Sequence, residues 1–151
     1  MTSRLSSAAR SAILSKIAEV FTDFTIDFYT GSQPPSSDVA ETGQKLLSIT
    51  LNSGAFTSGS PTNGLEFGAE ASQVLHKKAG EVWSGVGLVD GVAGWARIYG
   101  NTKITGSSTT AIRWDLSVGT SGAQINMSNT SIVTGATTTI DTVNIPMPIA
   151  A

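Results

Sequence analysis

The chain has 151 residues, a formal charge of −2, 40% hydrophobic and 13% charged residues, and no cysteine. That length fits one domain with one core, and the missing cysteine excludes disulfides, Cys-ligated zinc and a thiol nucleophile. Charge is about half the usual share, and the only adjacent bases are Lys77-Lys78, so no nucleic-acid partner is expected, because phosphate binding needs clustered Lys and Arg.

The first element is helical. Leu5, Ala8, Ala9, Ala12, Ile13, Ile17, Val20 and Phe21 recur at three- and four-residue intervals, which predicts an amphipathic helix over residues 3–22. Thr2 or Ser3 is placed to cap it. Its apolar residues are spaced by Ser and Lys and form no continuous signal-peptide core. No stretch of the chain reaches the ~18 apolar residues of a membrane span. Synthesis in the cytoplasm, with no membrane partner, is the expectation.

From Phe24 the period becomes two. Phe24, Ile26 and Phe28 alternate with Thr25, Asp27 and Tyr29, the pattern of a half-buried strand. Thr30-Gly31-Ser32-Gln33-Pro34-Pro35 ends it, since neither proline donates to a ladder. Further strands are expected at Lys45–Leu51, Leu65–Phe67, Val82–Val89, Gly94–Tyr99, Ala111–Val118, Gln124–Met127 and Thr137–Pro146. Asp90-Gly91, between two of these, predicts a tight hairpin turn. Trp83, Trp95 and Trp114 are expected to share one core, the alternative being an exposed sugar-stacking platform. Many short strands broken by Gly-rich turns predict a mainly β fold, an antiparallel jelly-roll-like sandwich over 24–148 behind the helix, the whole of 1–151 forming one domain.

Site chemistry is sparse. The one histidine, His76, lies in a polar stretch, and no Gly-x-Ser-x-Gly elbow accompanies it. It reads as an exposed loop residue. No phosphate loop, dinucleotide fingerprint or calcium loop is present. Glu66 with Glu70, or Asp38 with Glu41, are the carboxylate pairs within reach of acid–base work. Any chain with eleven acids offers such pairs by chance. No catalytic, cofactor-binding or metal-ligating residue is assigned, no cofactor is expected, and the chain is read as no enzyme.

Several segments carry a resemblance. They are Ala8-Ala9-Arg10-Ser11-Ala12-Ile13-Leu14, Phe28-Tyr29-Thr30-Gly31-Ser32-Gln33-Pro34, the stretch Asp38 to Leu47, Leu65-Glu66-Phe67-Gly68, and Gly91-Val92-Ala93-Gly94-Trp95-Ala96-Arg97. Trp114-Asp115-Leu116-Ser117-Val118-Gly119-Thr120-Ser121-Gly122-Ala123 and the closing Thr137 to Pro146 complete the series. Together the chain resembles a family of small tailed-bacteriophage and prophage proteins from the virion structural region. The resemblance implies a virion protein made in the host bacterial cytoplasm, its partners being copies of itself and other virion proteins. A capsid decoration or cement protein, trimeric on the shell, is favoured. A neck, collar or tail component is the alternative, and a receptor- or carbohydrate-binding module the second.

Within these segments, Gly31 and Gly94 are read as positions where a side chain would block the backbone. Gly119 and Gly122 are read as allowing a sharp turn. Arg97 and Asp115, on neighbouring strand candidates, are read as able to pair across the sheet, as a structural pair or a subunit contact; an exposed pair would contribute only ~0–1 kcal/mol.

Overall fold

Two apolar sets with helical spacing share the N-terminal segment, and the computed structural model, which describes residues 3–147, buries the less obvious one. Helix α1 runs Ser7–Val20, shorter than the expected 3–22. Its cap is Ser6, whose hydroxyl accepts from the Ala9 amide at 3.2 Å. Ser3 precedes the helix, and Thr2 lies outside the described residues. The packed face is Leu14, Ile17, Ala18 and Phe21, an i, i+3, i+4, i+7 set. Leu5, Ala8, Ala12, Ile13 and Val20 of the expected stripe are exposed. Phe21 decides the rotation: its ring stacks on Trp114 with centroids 5.9 Å apart.

The strands that follow are β1 Thr25–Tyr29, β2 Lys45–Leu51, β3 Val74–Leu75, β4 Trp83–Val86, β5 Gly91–Val92 and β6 Trp95–Tyr99. After them come β7 Arg113–Gly119, β8 Ile125–Asn126, β9 Ser131–Ile132, β10 Thr137–Thr139, β11 Thr142–Val143 and β12 Ile145–Pro146. The fold is mainly β with one short N-terminal helix, as the periodicities predict. Eight strands form one sheet in the order β10-β4-β2-β1-β6-β7-β8-β11, while β12 pairs β3 and β5 pairs β9. These strand pairings are antiparallel except β7 with β8.

The sheet curls until its edges meet. β10 and β11 stand at opposite ends of the order, yet only Ile140 and Asp141 separate them. The Ile140 amide donates to the Trp83 carbonyl at 2.9 Å, and the Asp141 amide donates to the Asn126 carbonyl at 3.0 Å. One segment thus leaves one edge and joins the other. Of the expected fold only the coarse form is met: the chain is mainly β and encloses a core, but eight of its strands belong to one curled sheet and four to two small pairs. Ile26, Phe28, Leu47, Ile49, Trp83, Ala96, Ile98, Leu116 and Ile140 lie in that core, which also takes in Leu14 and Phe21 of the helix region.

Four local expectations change. Asp90-Gly91 makes no hairpin: β4 lies between β2 and β10, and β6 between β1 and β7. The Asp90 carboxylate instead accepts from the Thr134 amide and hydroxyl at 2.7 and 2.8 Å, and Gly91 pairs with Ile132. Long-range bonds here override a local turn preference. Leu65–Phe67 gives only single bridges, Leu65 to Phe24 and Phe67 to Lys77. The expected strand Thr137–Pro146 splits into β10, β11 and β12, because its successive parts serve three different partners. And β1 is buried on both faces, not half-buried.

The glycine readings hold at Gly31 and Gly94. Gly31 has φ +77°, and a Cβ on Gly94 would run into the Gly31 carbonyl oxygen. Together they bring the end of β1 against the start of β6, where the Gly94 amide donates to the Tyr29 carbonyl at 2.8 Å. At the other motif, Gly122 with φ +71° turns the chain so that β8 resumes parallel to β7.

Candidate functional site

The second face of β1 is buried because two loops, 30–44 and 100–112, bring charged groups down onto it. Register aligns Asp27 with Arg97 and Arg97 with Asp115 across β1, β6 and β7. Arg97 is fully buried and forms a bidentate pair with Asp115, Nε donating to Oδ1 at 2.6 Å and Nη2 to Oδ2 at 2.9 Å. The pair therefore forms as the sequence suggests, but in the interior and not at an exposed surface. Arg97 Nη1 also donates to the Val39 carbonyl at 2.9 Å and to Glu41 at 3.3 Å.

Glu41 joins the two loops. It accepts from the Tyr99 hydroxyl at 2.6 Å and from the Gly106 amide at 2.9 Å, with Arg113 at 3.7 Å. The Tyr99 and Tyr29 hydroxyls are 2.8 Å apart. Asp27, also buried, accepts from Ser48 at 2.6 Å and Lys103 at 2.8 Å, with Lys45 at 3.1 Å. Three carboxylates thus face four cations, and every carboxylate oxygen is engaged. Such a network holds loops to a sheet.

Ionisation follows from this geometry. Burial alone would push the Glu41 carboxyl up, but the Tyr99 hydroxyl, backbone amides and Arg97 outweigh it and hold it below its ordinary value. Burial pushes both Tyr29 and Tyr99 above theirs. Burial lowers the Lys103 ammonium, with Asp27 opposing. The Glu41 contribution to stability is present above the ordinary value of 4.5 and is lost as pH falls through the folded value. The tyrosine contribution is whole below 10.0 and is lost as pH rises beyond it. Urea midpoints measured against pH should show a plateau bounded by these two losses. Replacing Glu41 by Gln should remove its part of the acid-side slope; an unchanged slope would mean that Glu41 is not the group responsible.

The tryptophans part company. Trp83 is in the core, edge-on to Phe24 at 5.3 Å. Trp95 is buried on the opposite face, stacked on Tyr29 at 4.7 Å with the Arg97 guanidinium 5.3 Å from its ring. It does not share a core with Trp83, because Trp95 alternates with the core residue Ala96. Trp114, as expected, packs against the core that holds Trp83, half-buried and stacked on Phe21. Neither Trp83 nor Trp95 is available as a sugar platform.

The other flagged residues lie apart. His76 is half-buried, not an exposed loop residue, because Nδ1 lies 3.2 Å from the Val143 carbonyl. Asp38 is exposed, and the Glu41 carboxylate is engaged by Tyr99, Gly106 and Arg97 instead. Glu66 accepts from the Asp23 amide at 3.3 Å and Glu70 from the Gln73 amide at 3.1 Å, so each braces a different backbone segment. Among the described residues no group of three or more His, Asp or Glu side chains is placed to hold a metal ion, and no helix is long and apolar enough to cross a membrane.

The most distinctive surface is apolar. Segment 86–92 and Val133 pair along one end of the curled sheet, through β5 with β9 and a bridge from Gly87 to Thr134. On them Val86, Leu88, Val89, Val92 and Val133 are all exposed, Leu88, Val92 and Val133 by 57, 59 and 56%. Val92 lies opposite Ser131 and on the same side as Val133, while Gly91 and Ile132 turn inward. Asp90 is the one charged residue in that segment. Glu41 was singled out from sequence only as a partner of Asp38, and Lys103 and the tyrosine pair were not singled out. The available signal was the run of charged and aromatic residues at alternate positions, Asp27 and Tyr29 on β1, and Trp95, Arg97 and Tyr99 on β6.

Comparison with family models, with curated proteins and with solved structures finds no match to this chain.

Proposed function

We propose that this chain is a non-enzymatic structural subunit of a tailed-bacteriophage particle, a capsid decoration or cement protein that assembles with copies of itself and with neighbouring virion proteins. The observation that carries the reading is the aliphatic end formed by Val86, Leu88, Val89, Val92 and Val133. Contiguous exposed apolar surface on a chain this poor in charge is what subunit contacts bury. The exposed helix residues Leu5, Ile13 and Val20 offer a second such surface. The jelly-roll-like sandwich belongs to the same reading, as the flattened form of the curled sheet. The particle context rests on the resemblance of the sequence segments to phage virion proteins, and the internal clamp on Arg97 and Glu41 suits a rigid building block.

The test is assembly. Sedimentation velocity at micromolar concentration should show an oligomer, a trimer for a shell protein. Val92→Lys and Leu88→Lys should shift it to smaller species while circular dichroism stays unchanged. A wild-type monomer at every concentration that also fails to bind particles defeats the proposal. Density for this chain at a neck or tail in a particle reconstruction would select the alternative position.

A further inference from the structure

We propose that the cleft on the outer face of β1, β2 and β4, lined by both polar and apolar groups, is a saccharide subsite. It has a volume of about 440 Å³, within the roughly 300–1,000 Å³ of small-ligand clefts. Ser48 and Thr50 of β2 line it, with Ser53, Phe56 and Ser58 of the following loop; Lys103 is its one charged group.

The direction of the hydroxyl protons selects the ligand. The Ser48 hydroxyl donates to Asp27 at 2.6 Å, Thr50 to the Gly54 carbonyl at 2.7 Å, and Ser58 to the Asn101 carbonyl at 3.4 Å. None of these acceptors carries a hydrogen, so these three protons are used inside the protein; Ser58 also accepts from the Lys103 amide at 2.9 Å, and the lone pairs left on Ser48, Thr50 and Ser58 can receive a ligand's hydroxyls. Lys103 spends one N–H on Asp27 at 2.8 Å and keeps others to donate. An anion would meet lone pairs, and a cation would meet Lys103. A neutral polyol satisfies both sets, donating its hydroxyls to the serines and accepting from Lys103. Half-buried Phe56 supplies an apolar wall for the C–H face of a sugar ring. This route uses no tryptophan. Of the aliphatic end, Val86 lines this cleft but Leu88, Val89, Val92 and Val133 do not, so replacing Leu88 or Val92 tests assembly without altering the cleft.

The experiment is an amide chemical-shift titration of the full chain with maltotriose, triacetylchitotriose and, separately, inorganic phosphate, each to about 10 mM, a range that detects weak millimolar binding. At least one trisaccharide should shift amides confined to residues 48–58, 85–86 and 103. Phe56→Ala should weaken that binding by about tenfold, and Ala55→Trp, placed at the mouth of the cleft, should abolish it. Both replaced residues lie outside the charged network, and the spectra themselves report folding. No response to either sugar, a response to phosphate alone, or shifts elsewhere on the surface would overturn the proposal. So would sugar binding untouched by both variants. A wild-type chain that binds sugar yet is monomeric and fails to bind particles would count against the assembly reading and leave this one standing.

Discussion

Trp83→Ala should cost about 3–5 kcal/mol of unfolding free energy, a large share of the ~5–15 kcal/mol available to an ordinary domain. Trp83 is fully buried between Phe24 and Phe67, with centroids 5.3 and 6.0 Å away. Its indole N–H donates to Glu81 at 2.8 Å, and Glu81 also accepts from the Glu66 amide at 3.1 Å. The Trp83 carbonyl receives the Ile140 amide at the point where the sheet closes. Truncation therefore opens a cavity, frees a partly buried carboxylate, and loosens the segment that joins the two edges. Trp114→Ala should cost clearly less, since Trp114 is half-buried and stacks only on Phe21 among the aromatic rings. Urea denaturation of both variants decides the order. Equal losses would mean that the core is not centred on Trp83.

Arg97→Met should cost a similar ~3–5 kcal/mol, because it strands a buried carboxylate with no counter-charge. Asp115 would lose both of its bonds, and Glu41 one of its cations, leaving Arg113 at 3.7 Å. The same reasoning predicts a rescue. Adding Asp115→Leu removes the stranded charge, so the double variant should recover much of the loss, as buried pairs replaced by apolar groups of similar size often do. Chemical denaturation of the single and double variants measures the coupling. A double variant no more stable than Arg97→Met would show that Arg97 acts through Val39 and the loop, not through the Asp115 pair.

The sequence made the strands legible where one face is apolar and the other polar. The alternations in Thr25–Tyr29 and Lys45–Leu51 match β1 and β2, and the Arg97–Asp115 pairing followed from charges on adjacent strands. Burial of that pair was not legible. It depends on loops 30–44 and 100–112 folding over the sheet, tied to each other by the Ser108 amide on the Asp38 carbonyl at 2.9 Å. Nothing in local spacing says that Glu41 arrives beside Tyr99, 58 residues away.

Hydrophobic period, capping hydroxyls and glycine placement act over a few residues, so the sequence by itself determined a mainly β chain with a helix in front. Those same short-range rules marked Gly31 and Gly94 as places a side chain would block and Gly122 as a turn; that the two glycines meet was set by the pairing of β1 with β6. Strand partnership is different, because each strand offers two edges and the choice is made by contacts far along the chain. Only the tertiary structure decided that Asp90 would bind Thr134 instead of turning a hairpin. It alone placed Trp95 and Trp83 on opposite faces, turned Leu14 inward in place of Leu5 and Ile13, and let residues 137–143 close the sheet. Each of those outcomes sets long-range burial against a local preference worth about 1 kcal/mol or less, while burying one large side chain is worth about 1.5–3 kcal/mol.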